Sequence, residues 1–259
     1  MAAVALITGG NGLIGRHVLT AWDLPDLPPE TVDHRAVDLL EPGTARALVD
    51  RARPAVVLHL AWTASGTRGY RNDPDNARWV DASLELATAC ADAGARFLAT
   101  GTPLDTATDP ADAYSAAKAA LRRDLQGEVD AGSCTWLRPF YVVEPQRRRP
   151  ELVDQAVAAR DAGERLVLRT PGSRHDFVHA ADVGTAVVGT MRHGLRGEVP
   201  IGSGRLRQVS DLVSALGVPW VAGPDAGSPT PQHHDAADVT RLRDHGWSPA
   251  HTKEMFHGG

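Results

Sequence analysis

The stretch "ALITGGNGLIGRHVL", residues 5–19, decides the fold class of this chain. An apolar run of strand character leads into Gly9, Gly12 and Gly15, and an amphipathic run follows. Gly9 allows a tight turn, Gly12 lets the backbone approach a pyrophosphate, and Gly15 lets a helix pack against the sheet. The N-terminus of such a helix offers unpaired N–H groups and a partial positive charge. The stretch therefore predicts a dinucleotide-binding turn between a strand and a helix.

Short apolar runs alternate with longer amphipathic stretches in the first half of the chain. The apolar runs predict strands buried on both faces, at residues 3–9, 55–61, 96–101 and 135–143. The amphipathic stretches predict helices, at residues 12–22, 43–52, 75–94 and 111–130, with Gly94 as a helix stop. This alternation predicts an α/β fold of Rossmann type, with a doubly wound parallel sheet. Residues 22–35 hold three prolines and no apolar run, so a strand there is expected to be very short or absent.

The character of the chain changes after Pro145, where loop-rich and basic patches separate short elements. We interpret residues 1–144 as a nucleotide-binding domain and residues 145–259 mainly as a small C-terminal substrate-binding cap. Residues 175–195 are expected to return to the first domain.

Composition excludes several classes of function. The 259 residues are 42% hydrophobic and 23% charged, which is ordinary for a globular protein, and the net charge is −5. This balance argues against nucleic acid as a main ligand. Without a basic leader or an apolar run of membrane-spanning length, we expect a cytoplasmic protein with no membrane partner. No metal-ligand spacing is present, and we interpret Cys90 and Cys134 as buried thiols in a reducing compartment.

The T-G-x-x-G-x-x-G spacing of the turn resembles that of the extended short-chain dehydrogenase/reductase family, and the resemblance runs through about residues 3–250. "AVDLL", residues 36–40, is similar to the family segment whose Asp binds the adenine amino group. "HLAW", residues 59–62, resembles the turn beneath the ribose and pyrophosphate. The resemblance implies NAD(P) contacts from Gly9, Gly12, Leu13, Ile14, Gly15, Asp38, Leu39, Leu60, Ala61, Trp62, Thr100, Tyr114 and Lys118.

The segment "TGTPLDTATDPADAYSAAK", residues 100–118, carries the residues that resemble the family's catalytic set. Tyr114 and Lys118 are four apart and share one face of a helix. With Thr102 after the preceding strand, they match the family's Ser/Thr, Tyr and Lys. Reduction of a ketone forms an alkoxide that must be protonated, and a nearby ammonium together with the nicotinamide charge favours the phenolate of Tyr114. Thr102 is expected to bind the carbonyl oxygen.

Downstream blocks resemble those of family members that act on nucleotide sugars. "LRPFYVVEP" (137–145), "SRHDFVHAADV" (173–183) and "DVTRLRDHGWSP" (238–249) are each similar to a family block. The resemblance is greatest to 4-ketoreductases of nucleotide-linked 4-keto-6-deoxyhexoses, although Trp79 stands where those enzymes have Asn. It implies substrate contacts from Thr63, Thr102, Pro103, Phe140, Tyr141, Arg149, Arg174 and His175.

Three functions fit this pattern of residues. Dehydratases of the family carry an Asp-Glu pair directly after the catalytic Thr, and this chain has Pro103 and Leu104 there. A reductase is therefore our main interpretation. A 4-epimerase with tightly held NAD and a non-catalytic dinucleotide-binding sensor are the alternatives.

Cofactor choice is not decided by the residues. Asp23, Asp33 and Arg35 are all candidate neighbours of the adenosine ribose, and acids and arginine have opposite preferences there. By analogy with other biosynthetic reductases we expect NADP(H), with NAD(H) as the alternative. By analogy with the family we also expect a homodimer formed through the helices at 75–94 and 111–130.

Overall fold

The structure is a computed structural model that describes residues 3–33, 35–63, 69–107, 109–145, 152–224, 226–227 and 235–257. The chain forms two compact units. The first comprises Met1–Pro139 and Gly184–Val199, and the second comprises Phe140–Val183 and Pro200–Gly259. The first unit contains the glycine turn and the candidate catalytic residues. Assigning substrate binding to the second unit stays a prediction.

A six-stranded sheet forms the centre of the fold. Its strands are β1 Ala5–Thr8, β2 Pro29–Val32, β3 Val56–His59, β4 Arg96–Thr100, β5 Cys134–Pro139 and β10 Gly197–Ile201. Their order is β10-β5-β4-β3-β1-β2. β1 pairs in parallel with both β2 and β3, and β3, β4 and β5 continue the parallel ladder. The prediction of a Rossmann-type, doubly wound parallel sheet is confirmed.

Helices connect the strands of this sheet. They are α1 Leu13–Thr20, α2 Thr44–Ala52, α3 Asp75–Ala93, α4 Ala113–Asp124, α5 Gln126–Asp130 and α7 Ala180–Arg192, with a 3₁₀ turn at Tyr70–Asn72. Gly94, at φ +67, ends α3 in the left-handed conformation, as predicted. The prediction of a single helix over residues 111–130 is wrong. Two helices meet at Leu125, and Gly127, a poor helix former, lies in the second of them.

The structure gives the length of one predicted strand and divides another into two. The proline-rich segment forms a short strand, the four-residue β2, so the strand is present. The single strand expected at 135–143 is two strands, because β5 belongs to the large sheet while Tyr141–Val143 (β6) pairs with Phe177–His179 (β9). The break falls at Pro139 and Phe140. Proline has no N–H to donate to a ladder.

The core of the first unit joins the sheet to its helices. Leu6, Val57, Phe97 and Trp136 from strands pack with helix residues that include Leu48, Leu86 and Leu121. The two cysteines lie in this core as free, buried thiols, as predicted.

The second unit has smaller sheets and a core of its own. Its remaining elements are α6 Leu152–Asp161, β7 Leu166–Leu168, β8 Arg174–His175, α8 Val209–Ala215, β11 Arg207–Gln208, β12 Trp220–Ala222, α9 Thr240–Asp244 and α10 Ala250–His257. β7 pairs with β12, and β8 with β11. The buried carboxylate of Asp176 accepts backbone N–H bonds from Ser203, Gly204 and Ala237, and so ties loops of this unit together. Among the described residues, no helix is long and apolar enough to cross a membrane.

Candidate active site

The glycine turn after β1 is too tight for a side chain at two of its positions. Gly9 has φ +72, and a Cβ there lies 2.6 Å from the backbone nitrogen of Ala61. A Cβ at Gly15 lies 2.3 Å from the carbonyl oxygen of Gly9. The N–H of Gly12 donates to that same carbonyl at 2.9 Å, which closes the turn. These contacts explain Gly9 and Gly15 sterically, while contact with a cofactor stays a prediction.

The turn leads into the half-buried N-terminal end of a helix. α1 has eight residues and begins at Leu13, and Gly12 before it supplies no side-chain cap. β1 lies between β2 and β3, where the order of the strands reverses. Ligands of doubly wound sheets bind at such a point, outside the carboxyl ends of the strands. Uncapped N–H groups and a glycine backbone fit a dinucleotide diphosphate here.

The segments expected to contact adenosine differ in exposure. Asp38 is exposed, and its carboxylate accepts the N–H of Leu40, whereas Leu39 is buried in the core. After β3, the N–H of Leu60 donates to the carbonyl of Thr8, and that of Ala61 donates to its hydroxyl. The turn after β3 is therefore fixed to the end of β1, beside Gly9.

Tyr114 and Lys118 lie one turn apart on α4. The Asp112 carboxylate accepts the N–H of Ser115 and caps the N-terminus of this helix. The Lys118 amino group is 5.9 Å from the centroid of the Tyr114 ring and donates to the carbonyl of Thr100 at 2.8 Å. The structure thus brings Tyr114, Lys118 and the end of β4 together. Thr102, two residues beyond β4, is also buried.

Aromatic rings surround the two side chains of α4. The Lys118 amino group is 3.5 Å from the centroid of a Trp62 ring, a cation–π contact. The Tyr114 ring has edge-on contacts with Trp62 and with Tyr70, at centroid distances of 6.1 and 4.9 Å. Trp62 also stacks on Trp79. Sequence analysis did not predict the position of Tyr70.

Burial has the largest effect on the pKa values of both Lys118 and Tyr114. It lowers the pKa of Lys118 to about 7, and the charge of Asp105 acts in the opposite direction. Burial also raises the pKa of Tyr114, and Tyr70 and Asp105 add to the effect. The phenol is therefore protonated at neutral pH and can donate a proton. Its predicted activation by Lys118 and the nicotinamide charge is a prediction for the cofactor-bound protein.

A family comparison agrees with this geometry. The model of the NAD dependent epimerase/dehydratase family matches residues 5–202, which include the glycine turn, Thr102, Tyr114 and Lys118. The chain belongs to this family. The resemblance to extended short-chain dehydrogenases/reductases is thereby confirmed.

Solved structures share the fold of this epimerase/dehydratase family member. The UDP-glucose 4-epimerase of Thermus thermophilus in complex with NAD is 22% identical, with a TM-score of 0.71, and the match covers 95% of this chain and 94% of that one. The dTDP-4-dehydrorhamnose reductase of Bacillus anthracis with NADP is 15% identical, with a TM-score of 0.76 and coverage of 99% and 97%. RMD from Pseudomonas aeruginosa with NADPH is 21% identical, with a TM-score of 0.73 and coverage of 95% and 93%. A comparison with curated protein sequences gave no match.

Residues of this family member that are predicted to contact substrate lie in both units. In the first, the Thr63 hydroxyl accepts the Trp79 indole N–H at 2.7 Å, and Pro103 is buried after Thr102. In the second, the rings of Tyr141 and His175 lie 4.0 Å apart. Arg174 is exposed beside them in the chain, and Phe140 is buried against Ala237 and Val239. Arg149 lies outside the described residues.

Sequence analysis missed a polar link beneath the site. Buried His59 shares hydrogen bonds with the hydroxyls of Thr8 at 2.7 Å and Ser83 at 3.0 Å, which joins β1, β3 and α3. Burial, helped by the charge of Lys118, lowers the pKa of His59 to about 3, so its ring is neutral. Only the pairing of distant elements reveals this role. In the described parts of the chain, no group of three or more His, Cys, Asp or Glu side chains could hold a metal ion.

Proposed function

We propose that this protein reduces the C4 ketone of a nucleotide-linked 4-keto-6-deoxyhexose, with NADPH as the preferred reductant. The observation that supports it most directly is the hydrogen bond from Lys118 to the Thr100 carbonyl at the end of β4, with Tyr114 one turn away on the same helix and in the same unit as the glycine turn. A non-catalytic sensor does not need a half-buried phenol beside a buried amine. The pKa values of both groups are strongly shifted, and such shifts cluster at functional sites.

Each side chain has one step in this reaction. A bound nicotinamide dinucleotide supplies the hydride that reduces the ketone carbon. The phenol of Tyr114 donates its proton to the ketone oxygen as negative charge develops on it. The Thr102 hydroxyl donates a hydrogen bond to the same oxygen and holds the carbonyl in line. The Lys118 ammonium, held by the Thr100 carbonyl, stabilises the tyrosinate that remains.

The segment after Thr102 favours reduction over dehydration. Dehydration needs an acidic pair at the two positions that Pro103 and Leu104 occupy. The next acid, Asp105, has a carboxylate that accepts the N–H of Thr102 and the indole N–H of Trp136, and its side chain is fully buried. It is therefore unavailable as an acid or base for elimination of water.

The preference for NADPH rests on analogy with other biosynthetic reductases, and an arginine after β2 is compatible with it. The strand ends at Val32, and Asp33 and Arg35 follow it beside the glycine turn. The Asp33 carboxylate accepts the N–H of Arg35, which closes a local turn, and the Arg35 side chain is exposed. A guanidinium at this place suits a ribose 2′-phosphate.

Other parts of the proposal concern binding and assembly. We place the sugar nucleotide against the second unit, where the Tyr141 and His175 rings can stack on a flat group. We also propose a cytoplasmic homodimer formed through α3 and α4. Light scattering of the purified protein tests the dimer directly.

A substrate screen tests the reaction. Purified protein is mixed with dTDP-, CDP- or GDP-linked 4-keto-6-deoxyhexose and either NADPH or NADH, and loss of reduced-cofactor absorbance is followed. We expect stoichiometric oxidation of NADPH with one of these sugars, and slower oxidation of NADH. Turnover of a 4-hydroxy sugar nucleotide without net cofactor consumption, with NAD retained through purification, would instead identify a 4-epimerase.

A further inference from the structure

The main chain of Thr102 is held at both of its polar groups by one ion pair. The N–H of Thr102 donates to Oδ2 of Asp105 at 2.9 Å. The carbonyl oxygen of Thr102 accepts the Nε–H of Arg138 at 3.2 Å. The same Nε lies 3.2 Å from Oδ1 of Asp105, so the two side chains clamp the residue between them.

The carboxylate of this ion pair is buried, and the guanidinium is partly buried. Asp105 is 4% exposed, and its Oδ2 also accepts the indole N–H of the fully buried Trp136 at 3.0 Å. A Cβ at Gly101 lies 2.3 Å from Oδ2 of Asp105 and 2.4 Å from the indole nitrogen of Trp136. Glycine before Thr102 is therefore what lets the carboxylate approach. Burial raises the pKa of Asp105, and the charge of Arg138 opposes this most strongly.

A second acid and a second arginine extend the pair. Glu198 accepts from Arg138 and from Arg122, each at 2.8 Å, and the Nε of Arg122 lies 3.9 Å from Oδ1 of Asp105. Arg138 also donates to the hydroxyl of Thr106. Positive and negative groups thus alternate, and the guanidinium of Arg138 is fixed in its plane on several sides.

Ordinary stabilisation does not explain this arrangement. A buried ion pair contributes little net stability, because desolvation of the charges offsets their attraction. Thr102 lies beyond the last residue of β4, Thr100; its N–H is bonded by the Asp105 side chain, while its carbonyl accepts from Arg138 and from the backbone N–H of Asp105. A misplacement of about 1 Å in an active site can cost about a hundredfold in rate.

We propose that Asp105 and Arg138 are positioning residues that fix the backbone of Thr102, and with it the direction of the Thr102 hydroxyl. The catalytic part of this inference rests on the proposed function of Thr102. The structural part does not, because it concerns the hydrogen bonding of one amide. The two parts are therefore tested separately.

The first arm measures hydrogen exchange at the Thr102 amide by NMR in threonine-labelled protein without ligands. Asp105→Asn keeps the size of the side chain, but places either an amide NH₂ or a weaker acceptor against Thr102 and Arg138. We expect exchange at Thr102 to accelerate about tenfold or more, which is the loss of one hydrogen bond of ordinary strength. Asp124→Asn, which removes an exposed carboxylate on α4, is the matched control and leaves exchange at Thr102 unchanged.

The second arm is a double-mutant cycle with whichever of the three keto sugars the wild-type protein reduces. Asp105→Asn should lower kcat about 10- to 100-fold with KM changed less than about threefold. In a Thr102→Val background the same substitution should lower kcat less than about twofold, because its target is already gone. If Asp105→Asn does not fold, Arg138→Lys removes the Nε–H donor and is expected to behave in the same way.

The outcomes test the positioning of the Thr102 backbone separately from the catalytic role of Thr102. Unchanged exchange at Thr102 in a folded variant overturns the positioning role. Equal losses of kcat in the two backgrounds also overturn it, since Asp105 then acts elsewhere. Faster exchange in a protein that reduces none of the sugars supports the positioning role and contradicts the proposed function.

Discussion

The indole N–H of Trp62 donates to Oδ1 of Asn76 at 2.7 Å, and this bond holds the Trp62 ring over the amino group of Lys118. Asn76 is 2% exposed, and its Nδ2 donates to the carbonyls of Tyr70 and Asp73. One buried amide therefore joins the 3₁₀ turn that carries Tyr70 to the ring that covers Lys118. The positions of Tyr70 and Trp62, which both contact Tyr114, therefore depend on the same side chain.

Trp62→Phe should lower the free energy of unfolding by about 1–3 kcal/mol, because it leaves the buried Oδ1 of Asn76 without a donor. Urea denaturation measures the change. Trp220→Phe is the matched control, since its indole N–H donates to the exposed hydroxyl of Ser214, which water can satisfy. The control should cost no more than about 0.5 kcal/mol. Equal losses of unfolding free energy in the two variants would show that the hydrogen bond to Asn76 stabilises the protein no more than an exposed one.

Lys118 should make stability depend on pH in a defined window. Its pKa is about 7 in the folded protein, below its ordinary value of 10.5, so the unfolded state binds more protons between these values. Stability contributed by this group therefore rises with pH from about 7 to about 10.5, by at most about 1.4 kcal/mol per pH unit. Below about pH 7 both states are protonated and the slope vanishes.

The measurement compares wild type with Lys118→Met by urea denaturation at several pH values. The variant has no titrating group at this position, so the difference between the two proteins isolates Lys118. We expect the free energy of unfolding of wild type to rise relative to that of the variant as the pH rises from 7 towards 10. A difference that stays constant across this range contradicts a lowered pKa for Lys118.

Local spacing explains which features the sequence predicts. The glycine turn and the Tyr114–Lys118 pair are each set by the geometry of one turn or one helix, so their residue types and intervals carry the information. The parallel sheet follows from alternating apolar runs for the same reason. Gly94 ends α3 through a backbone conformation that glycine adopts readily.

Tertiary pairing explains what the sequence does not predict. Asp105, Arg138 and Glu198 come from a loop, β5 and β10, and nothing in their own neighbourhoods marks them as partners of Thr102. The strand at 135–143 is split because β5 and β6 join different sheets, a choice made by their neighbours rather than by their apolar residues. β2 forms although it begins with Pro29, because β1 offers it a ladder.

Gly15→Ala should weaken both folding and dinucleotide binding. The added Cβ lies 2.3 Å from the carbonyl oxygen of Gly9, and the backbone must move to admit it. We expect a loss of about 1–3 kcal/mol in unfolding free energy, typical of overpacking, and at least about a tenfold loss in NADPH affinity measured by fluorescence. Gly189→Ala is the control, because a Cβ on this glycine of α7 meets nothing within 4 Å. That variant should bind NADPH normally and gain up to about 1 kcal/mol of stability.

Tyr114→Phe removes the proposed proton donor and leaves its ring contacts in place. The edge-on contacts with Trp62 and Tyr70 involve the ring and not the hydroxyl, so packing and cofactor affinity should stay close to wild type. Turnover should fall roughly 10²–10⁴-fold, the usual contribution of a positioned general acid. Steady-state rates with the active keto sugar, together with NADPH affinity by fluorescence, separate loss of chemistry from loss of binding. Near-normal turnover in this variant would mean that another group protonates the ketone oxygen, and Tyr114 would then be a packing residue of α4.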